Sequence, residues 1–153
     1  MLEISLQPIA TVKNERLIPE DDNWNSITSL IELEKNVPEF ALNGIEDFSH
    51  LEIIFFFDKV ELDKAIFELR SPRNNPQWNP VGTLAQRNKN RPNRLGLTTV
   101  KLIKREGTKL FVQGLDAISG TPILDIKPVY QEFLPRETVK QSEWSKELME
   151  GYW

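Results

Sequence analysis

The chain has 153 residues, 39% of them hydrophobic and 27% charged, with a net charge of −4, which is one domain's length and the composition of a globular rather than a disordered protein. Cysteine is absent and His50 is the only histidine, which excludes a disulfide framework, thiol chemistry and metal sites built from cysteine and histidine. The longest apolar run, Ile53 to Phe57, is strand-sized, and the N-terminus lacks the basic-then-apolar layout of a signal peptide, so a cytoplasmic location with no membrane partner and no metal is expected.

In chain order, Met1 to Val12 is a weak strand candidate. Ile27 to Leu33 and Leu51 to Phe57 are rich in β-branched and aromatic residues and predict strands. Between them, Val37 to Leu42 allows a turn or two of helix, and Glu61 to Leu69 reads as a short helix or strand. Leu97, Thr99, Lys101 and Ile103 alternate with Thr98, Val100 and Leu102. Arg105-Glu106-Gly107-Thr108 then supplies turn chemistry before Lys109 to Gln113, which predicts a hairpin. Ile123 to Lys127 is another weak strand. Ser142 to Tyr152 is the best helix: Ser142 caps it, and Trp144, Leu148 and Tyr152 recur on one face. The expected class is mainly β in a single domain over residues 1–153, with a sheet that closes or wraps and a C-terminal helix. Neither G-x-G-x-x-G after a strand nor G-x-x-x-x-G-K-[ST] occurs, so neither a Rossmann dinucleotide site nor a P-loop is supported.

The charge is uneven. Residues 69–105 contain no acid and nine bases: Arg70, Arg73, Arg87, Lys89, Arg91, Arg94, Lys101, Lys104 and Arg105. Such a segment in an acidic protein forms either a surface that meets phosphate, carboxylate or RNA backbone, or a set of counter-charges for acidic neighbours across the fold.

Three segments stand out. In Phe48-Ser49-His50, the histidine is either a general base or a residue packed and hydrogen-bonded at a strand entrance. In Ala85 to Leu97, arginines 87, 91 and 94 offer forked donors suited to carboxylate or phosphate. Pro92 there biases Arg91 toward an extended backbone, and Gly96 permits a tight approach; the alternative is a solvated basic loop. In Leu115 to Pro128, the turn Ser119-Gly120-Thr121-Pro122 exposes backbone N–H and C=O groups that could hold a small polar ligand. Asp125 and Lys127, two apart on a strand, share a face and can pair. By composition alone this is only a turn between strands.

Phe-Ser-His before an apolar strand, Ala-x-Arg-x-x-x-Arg-Pro-Asn-x-x-Gly, and Leu-Asp-x-x-x-Gly-Thr-Pro-x-Leu-Asp-Ile-Lys-Pro stand here in that order. Together they resemble the signature of the TrmO/TsaA-like family over residues from about 4 to 135. The acidic loop Pro19 to Trp24 and the tail Trp144 to Trp153 are similar to the family's short branch. The resemblance implies a single-sheeted β-barrel with a short C-terminal helix that dimerises and binds S-adenosylmethionine near the dimer interface. It implies N6-methylation of a threonylcarbamoyl-modified adenosine beside the tRNA anticodon. Carried over by motif position, the cofactor residues would be Phe57, Asp58, Arg87, Leu97, Ser119, Gly120, Thr121 and Pro122. Arg91 and Asn93 would shape the loop or face the acceptor.

No catalytic base is assigned: Asp125, His50 and backbone carbonyls all remain open. The chain departs from the family's pattern at Phe57 and Ser71, where histidine is common, at Ser119, where aspartate is common, and at Val129, where tyrosine is usual. The Pro-Arg-Gln segment of the tRNA enzymes is not present in that form, nor is the extra C-terminal domain of the longer bacterial ones. A methyltransferase acting on a non-RNA acceptor, or a non-catalytic module binding S-adenosylmethionine or RNA, is therefore the alternative expectation.

Overall fold

A computed structural model describes all of residues 1–153. Six strands close an antiparallel barrel: β1 (Ala10–Lys13), β2 (Thr28–Leu33), β3 (His50–Phe56), β6 (Leu95–Glu106), β7 (Lys109–Gln113) and β8 (Pro122–Pro128), in the order β1-β2-β7-β6-β3-β8. The remaining two, β4 (Leu69–Arg70) and β5 (Val81–Gly82), form a small separate ribbon in the long connection between β3 and β6. The expectation of a mainly β, closed sheet holds. No helix is long and apolar enough to cross a membrane.

Alternation decides which residues fill the barrel. Leu51, Ile53 and Phe55 of β3, Val100 of β6, Leu110 and Val112 of β7, and Val12, Ile31 and Ile123 all point inward and are buried. Each such side chain contributes about 1.5–3 kcal/mol by leaving water. Gly96 faces the Phe55 ring, which would stand 2.4 Å from any Cβ built there. The tight approach expected at this glycine is therefore to a core aromatic.

β6 is long because it serves two partners. Leu95 to Lys101 pairs with β3, and Lys101 to Glu106 pairs with β7. Two bulges bend the wall, one at Ile103 in β6 and one at Leu124 in β8.

Several local expectations change. Residues 1–9 form no strand; Ala10–Lys13 does. Glu39–Leu42 and Leu62–Lys64 are single 3₁₀ turns. Helix α1 covers only Glu143–Leu148. Ser142 holds the N-cap position without a side-chain cap bond; its carbonyl, rather than its hydroxyl, accepts from Ser145 and Lys146. Tyr152 lies beyond the helix, because Gly151 adopts a left-handed φ of 71° and turns the chain back toward the barrel. There the main chain of residues 151–152 accepts hydrogen bonds from Asn23 and Trp24 at 3.0 and 2.9 Å.

Candidate functional site

Register places most of the residues singled out from the sequence at one end of the barrel. The end of β3 pairs with the start of β6 (Phe56 opposite Leu95), and the start of β8 pairs with both β3 and β1 (Ile123 opposite Phe55, Pro122 opposite Thr11). Phe57 and Asp58, Leu97, and the turn Ser119–Pro122 therefore converge on one rim from separate stretches of sequence. Arg87 joins them by donating from Nη2 to the Leu97 carbonyl at 2.5 Å. Over Leu95 to Val100 the edge of β6 away from β3 has no strand partner, and main-chain groups on such an edge are ready donors and acceptors.

Asp116 closes this edge. Thr98, buried on the inner face of β6, donates to one carboxylate oxygen, and the Tyr152 hydroxyl donates to the other. Burial, then the Asp116 charge and the hydrogen bond to it, push the Tyr152 phenol well above its ordinary value, so it remains a neutral donor. Trp78 donates its indole N–H to Glu147 at 2.8 Å, and Arg73 pairs with Asp22 at 3.1 Å. Acidic loop, tail and barrel end are thus one clipped unit, which sequence reasoning missed; the Leu-Asp of the third motif and the Tyr-Trp tail were the visible signals.

The turn behaves differently from its sequence expectation. The N–H groups of Ser119, Gly120 and Thr121 are all committed, to Arg16, Val12 and Ile118 carbonyls at 2.7, 2.7 and 3.2 Å. Pro122 has none to give. What the turn offers a ligand is the carbonyl oxygens of Ser119 and Gly120, which accept no hydrogen bond from the chain. It is an acceptor surface, suited to a cation or to donors.

The arginines of the basic loop are also partly committed. Arg91 Nη1 donates to the carbonyls of Gln86 and Asn88 at 2.9 and 3.4 Å, which staples its own loop. Arg94 donates to the Val60 carbonyl at 3.0 Å and stacks 4.5 Å over Phe56. Asn93 is exposed. Elsewhere in residues 69–105, Arg70, Arg73, Lys104 and Arg105 pair with carboxylates. Lys89 and Lys101 have no ion pair. The counter-charge reading of the basic segment thus holds for Arg70, Arg73, Lys104 and Arg105.

Two candidate bases are separated. Asp125 lies across from Ile54, which lies across from Leu97, so the three share one outward row and Asp125 stands about 10 Å from Leu97. Its carboxylate pairs with Lys127 at 2.8 Å, as the spacing predicted, and this hydrogen bond holds the Lys127 ammonium above its ordinary value. His50 pairs with Lys101, four residues along β3 from that row, or about 13 Å away. It is exposed and bonds the Ser49 hydroxyl at 2.7 Å. No group of three or more histidine, aspartate or glutamate side chains is placed to hold a metal ion.

Comparison with known proteins matches residues 10–133 to the family described as tRNA-methyltransferase O N-terminal domain. The chain is 42% identical over 98 residues to the human tRNA (adenine(37)-N6)-methyltransferase, covering 64% of this chain and 22% of that protein. It is 31% identical over 134 residues to a Methanothermobacter thermautotrophicus protein named "Probable S-adenosyl-L-methionine-binding protein", covering 86% of this chain and 93% of that one. The chain thus spans less than a quarter of the human relative's length but nearly all of the archaeal one's. Among solved structures, TrmO from Pseudomonas aeruginosa superposes with a TM-score of 0.74 at 23% identity, over 94% of this chain and 62% of that one. This last likeness is one of fold.

Proposed function

The chain belongs to the tRNA-methyltransferase O N-terminal domain family, and from that premise we propose that it is an S-adenosylmethionine-dependent methyltransferase acting on an adenine N6 amine of tRNA. The observation that carries this reading is the convergence of Phe57, Asp58, Leu97, Arg87 and the Ser119–Pro122 turn on one barrel rim. The donor set fits the cofactor's chemistry. Leu97 offers apolar surface for a purine, Asp58 a carboxylate for hydroxyls or an amine, and Arg87 a guanidinium for a carboxylate, while Phe57 packs edge-on against the core Phe55 and backs the rim. The free carbonyls of the 119–120 turn face a positively charged ligand favourably.

Bound S-adenosylmethionine would supply a methyl group already activated on a sulfonium. The protein's work is then alignment: to hold the acceptor amine at near-attack distance and exclude water. A carboxylate that takes the amine proton would help, with a carbonyl accepting a hydrogen bond from the amine to orient it, because an exocyclic adenine amine is a weak nucleophile. Asp125 and the turn carbonyls stand on the candidate site's side of the barrel, and His50 does not. The unpaired lysines 89 and 101 remain available to RNA phosphates.

The site needs a second wall. Leu97 is 45% exposed and Leu95 39%, and the cavities of about 480 and 430 Å³ lie on other residues. A second copy packing on this outward face would complete it, so the active form is a homodimer, and an RNA acceptor implies action in the cytoplasm. Transfer of radiolabel from the methyl group of S-adenosylmethionine to tRNA tests the reaction. Label appearing in small molecules or protein instead points to another acceptor, and binding without transfer to a non-catalytic module.

A further inference from the structure

The connection between β3 and β6 contains a cavity of about 480 Å³ that the sequence motifs reach through Lys89 and Asn90 alone. Its volume falls in the range of small-ligand sites, but its lining is polar: Lys59, Lys64, Arg70 and Lys89 on one side of the balance, Glu61, Asp63 and Glu68 on the other. Most of these charges answer one another. Lys64 pairs with Glu61 at 3.3 Å, Arg70 with Glu68 at 3.2 Å, and Lys59 with Asp58 outside the lining at 3.3 Å. Lys89 and Asp63 are left without an ion pair.

The wall is held in place by the buried Gln86, whose amide donates to the Arg70 carbonyl at 3.0 Å and whose oxygen accepts from Asn88, next to Lys89, at 3.5 Å. The cavity also adjoins the candidate cofactor rim: Lys59 and Val60 directly follow Phe57 and Asp58, and Arg94 clamps the Val60 carbonyl.

We propose that this cavity is an acceptor subsite that holds a ribonucleotide neighbouring the methylated one. The inference rests on the RNA-methyltransferase reading above. A simple anion would satisfy Lys89 but would be repelled by Asp63. A ribonucleotide brings both kinds of partner, phosphate oxygens for Lys89 and a 2′-hydroxyl donor for the Asp63 carboxylate. The mixed lining thus reads as recognition of RNA backbone, with sugar selection built in.

The test is equilibrium binding of a fluorescent tRNA anticodon stem-loop, and of the DNA oligonucleotide of the same sequence, with S-adenosylmethionine affinity measured in parallel. Lys89→Ala, at an exposed position, is expected to weaken stem-loop binding and reduce its salt slope by about 1. Asp63→Ala is expected to erase an RNA-over-DNA preference of about tenfold. Both variants are expected to keep the wild-type affinity for S-adenosylmethionine. Stem-loop affinity and RNA preference unchanged in both variants would overturn the proposal, as would lost cofactor affinity, which would give the cavity to the methyl donor. Lys89-dependent RNA binding without methyl transfer would refute the proposed reaction and, with it, the cavity's role beside a methylated nucleotide, leaving a ribonucleotide-binding site.

Discussion

The Tyr152→Phe substitution isolates the clip that fastens the tail to the barrel end. It removes one hydroxyl and leaves the ring, so packing is kept while Asp116 loses one of its two side-chain donors and retains Thr98. A hydrogen bond to a charged group contributes about 1.5–3 kcal/mol. In a domain of this size that corresponds to about 3–12 °C in melting temperature. Circular-dichroism melts of both proteins at pH 7 should show that fall. Trypsin should also cut at Lys146 sooner in the variant, because the helix is held partly through Tyr152. The pH dependence has a definite sign. A phenol whose folded-state pKa is raised stabilises the fold fully below its unfolded value of about 10. That contribution disappears as pH climbs above 10, by up to about 1.4 kcal/mol per unit. Tyr152→Phe should show a flatter alkaline limb than the wild type. A melting temperature within about 1 °C of wild type, with equal proteolysis, would refute the clip.

Three further outcomes follow from the same geometry. Gly96→Ala drives a methyl into the Phe55 ring and should cost about 1–3 kcal/mol, read as a lower denaturant midpoint. Arg87→Ala, at an exposed side chain that holds the Leu97 carbonyl, should weaken S-adenosylmethionine binding about tenfold with little change in melting temperature; unchanged calorimetric affinity would remove Arg87 from the site. tRNA affinity should fall steeply between low and moderate salt, with a log–log slope of about −0.9 per phosphate neutralised on duplex stem.

The barrel strands were legible because their alternation is strong. Leu51, Ile53 and Phe55, or Thr98 and Val100, alternate with residues that face outward, and the Gly107 turn fixes the β6–β7 hairpin. The family motifs likewise pointed to Leu97 and the 119–122 turn, which register brings to one rim. What the sequence concealed depends on long-range geometry. Tyr152 fits a helical stripe with Trp144 and Leu148, yet Gly151 ends that stripe and sends the ring to Asp116. The Ser119 turn has the composition of an open turn with free backbone N–H and C=O groups, yet its N–H groups are taken, by the neighbouring Ile118 carbonyl and by those of Val12 and Arg16, which only the fold brings near. The nine bases of residues 69–105 read either as a positive surface or as counter-charges; Arg70 and Lys104 pair with Glu68 and Glu106 just outside the segment, and the fold brings Asp22 to Arg73 and Glu39 and Glu46 to Arg105.

Calorimetric titration of the purified protein with S-adenosylmethionine, and with S-adenosylhomocysteine as companion ligand, tests the central claim most directly. Saturable binding near one ligand per chain, weakened by Arg87→Ala, is the predicted result. Absence of binding by either ligand to a folded, dimeric sample would contradict it.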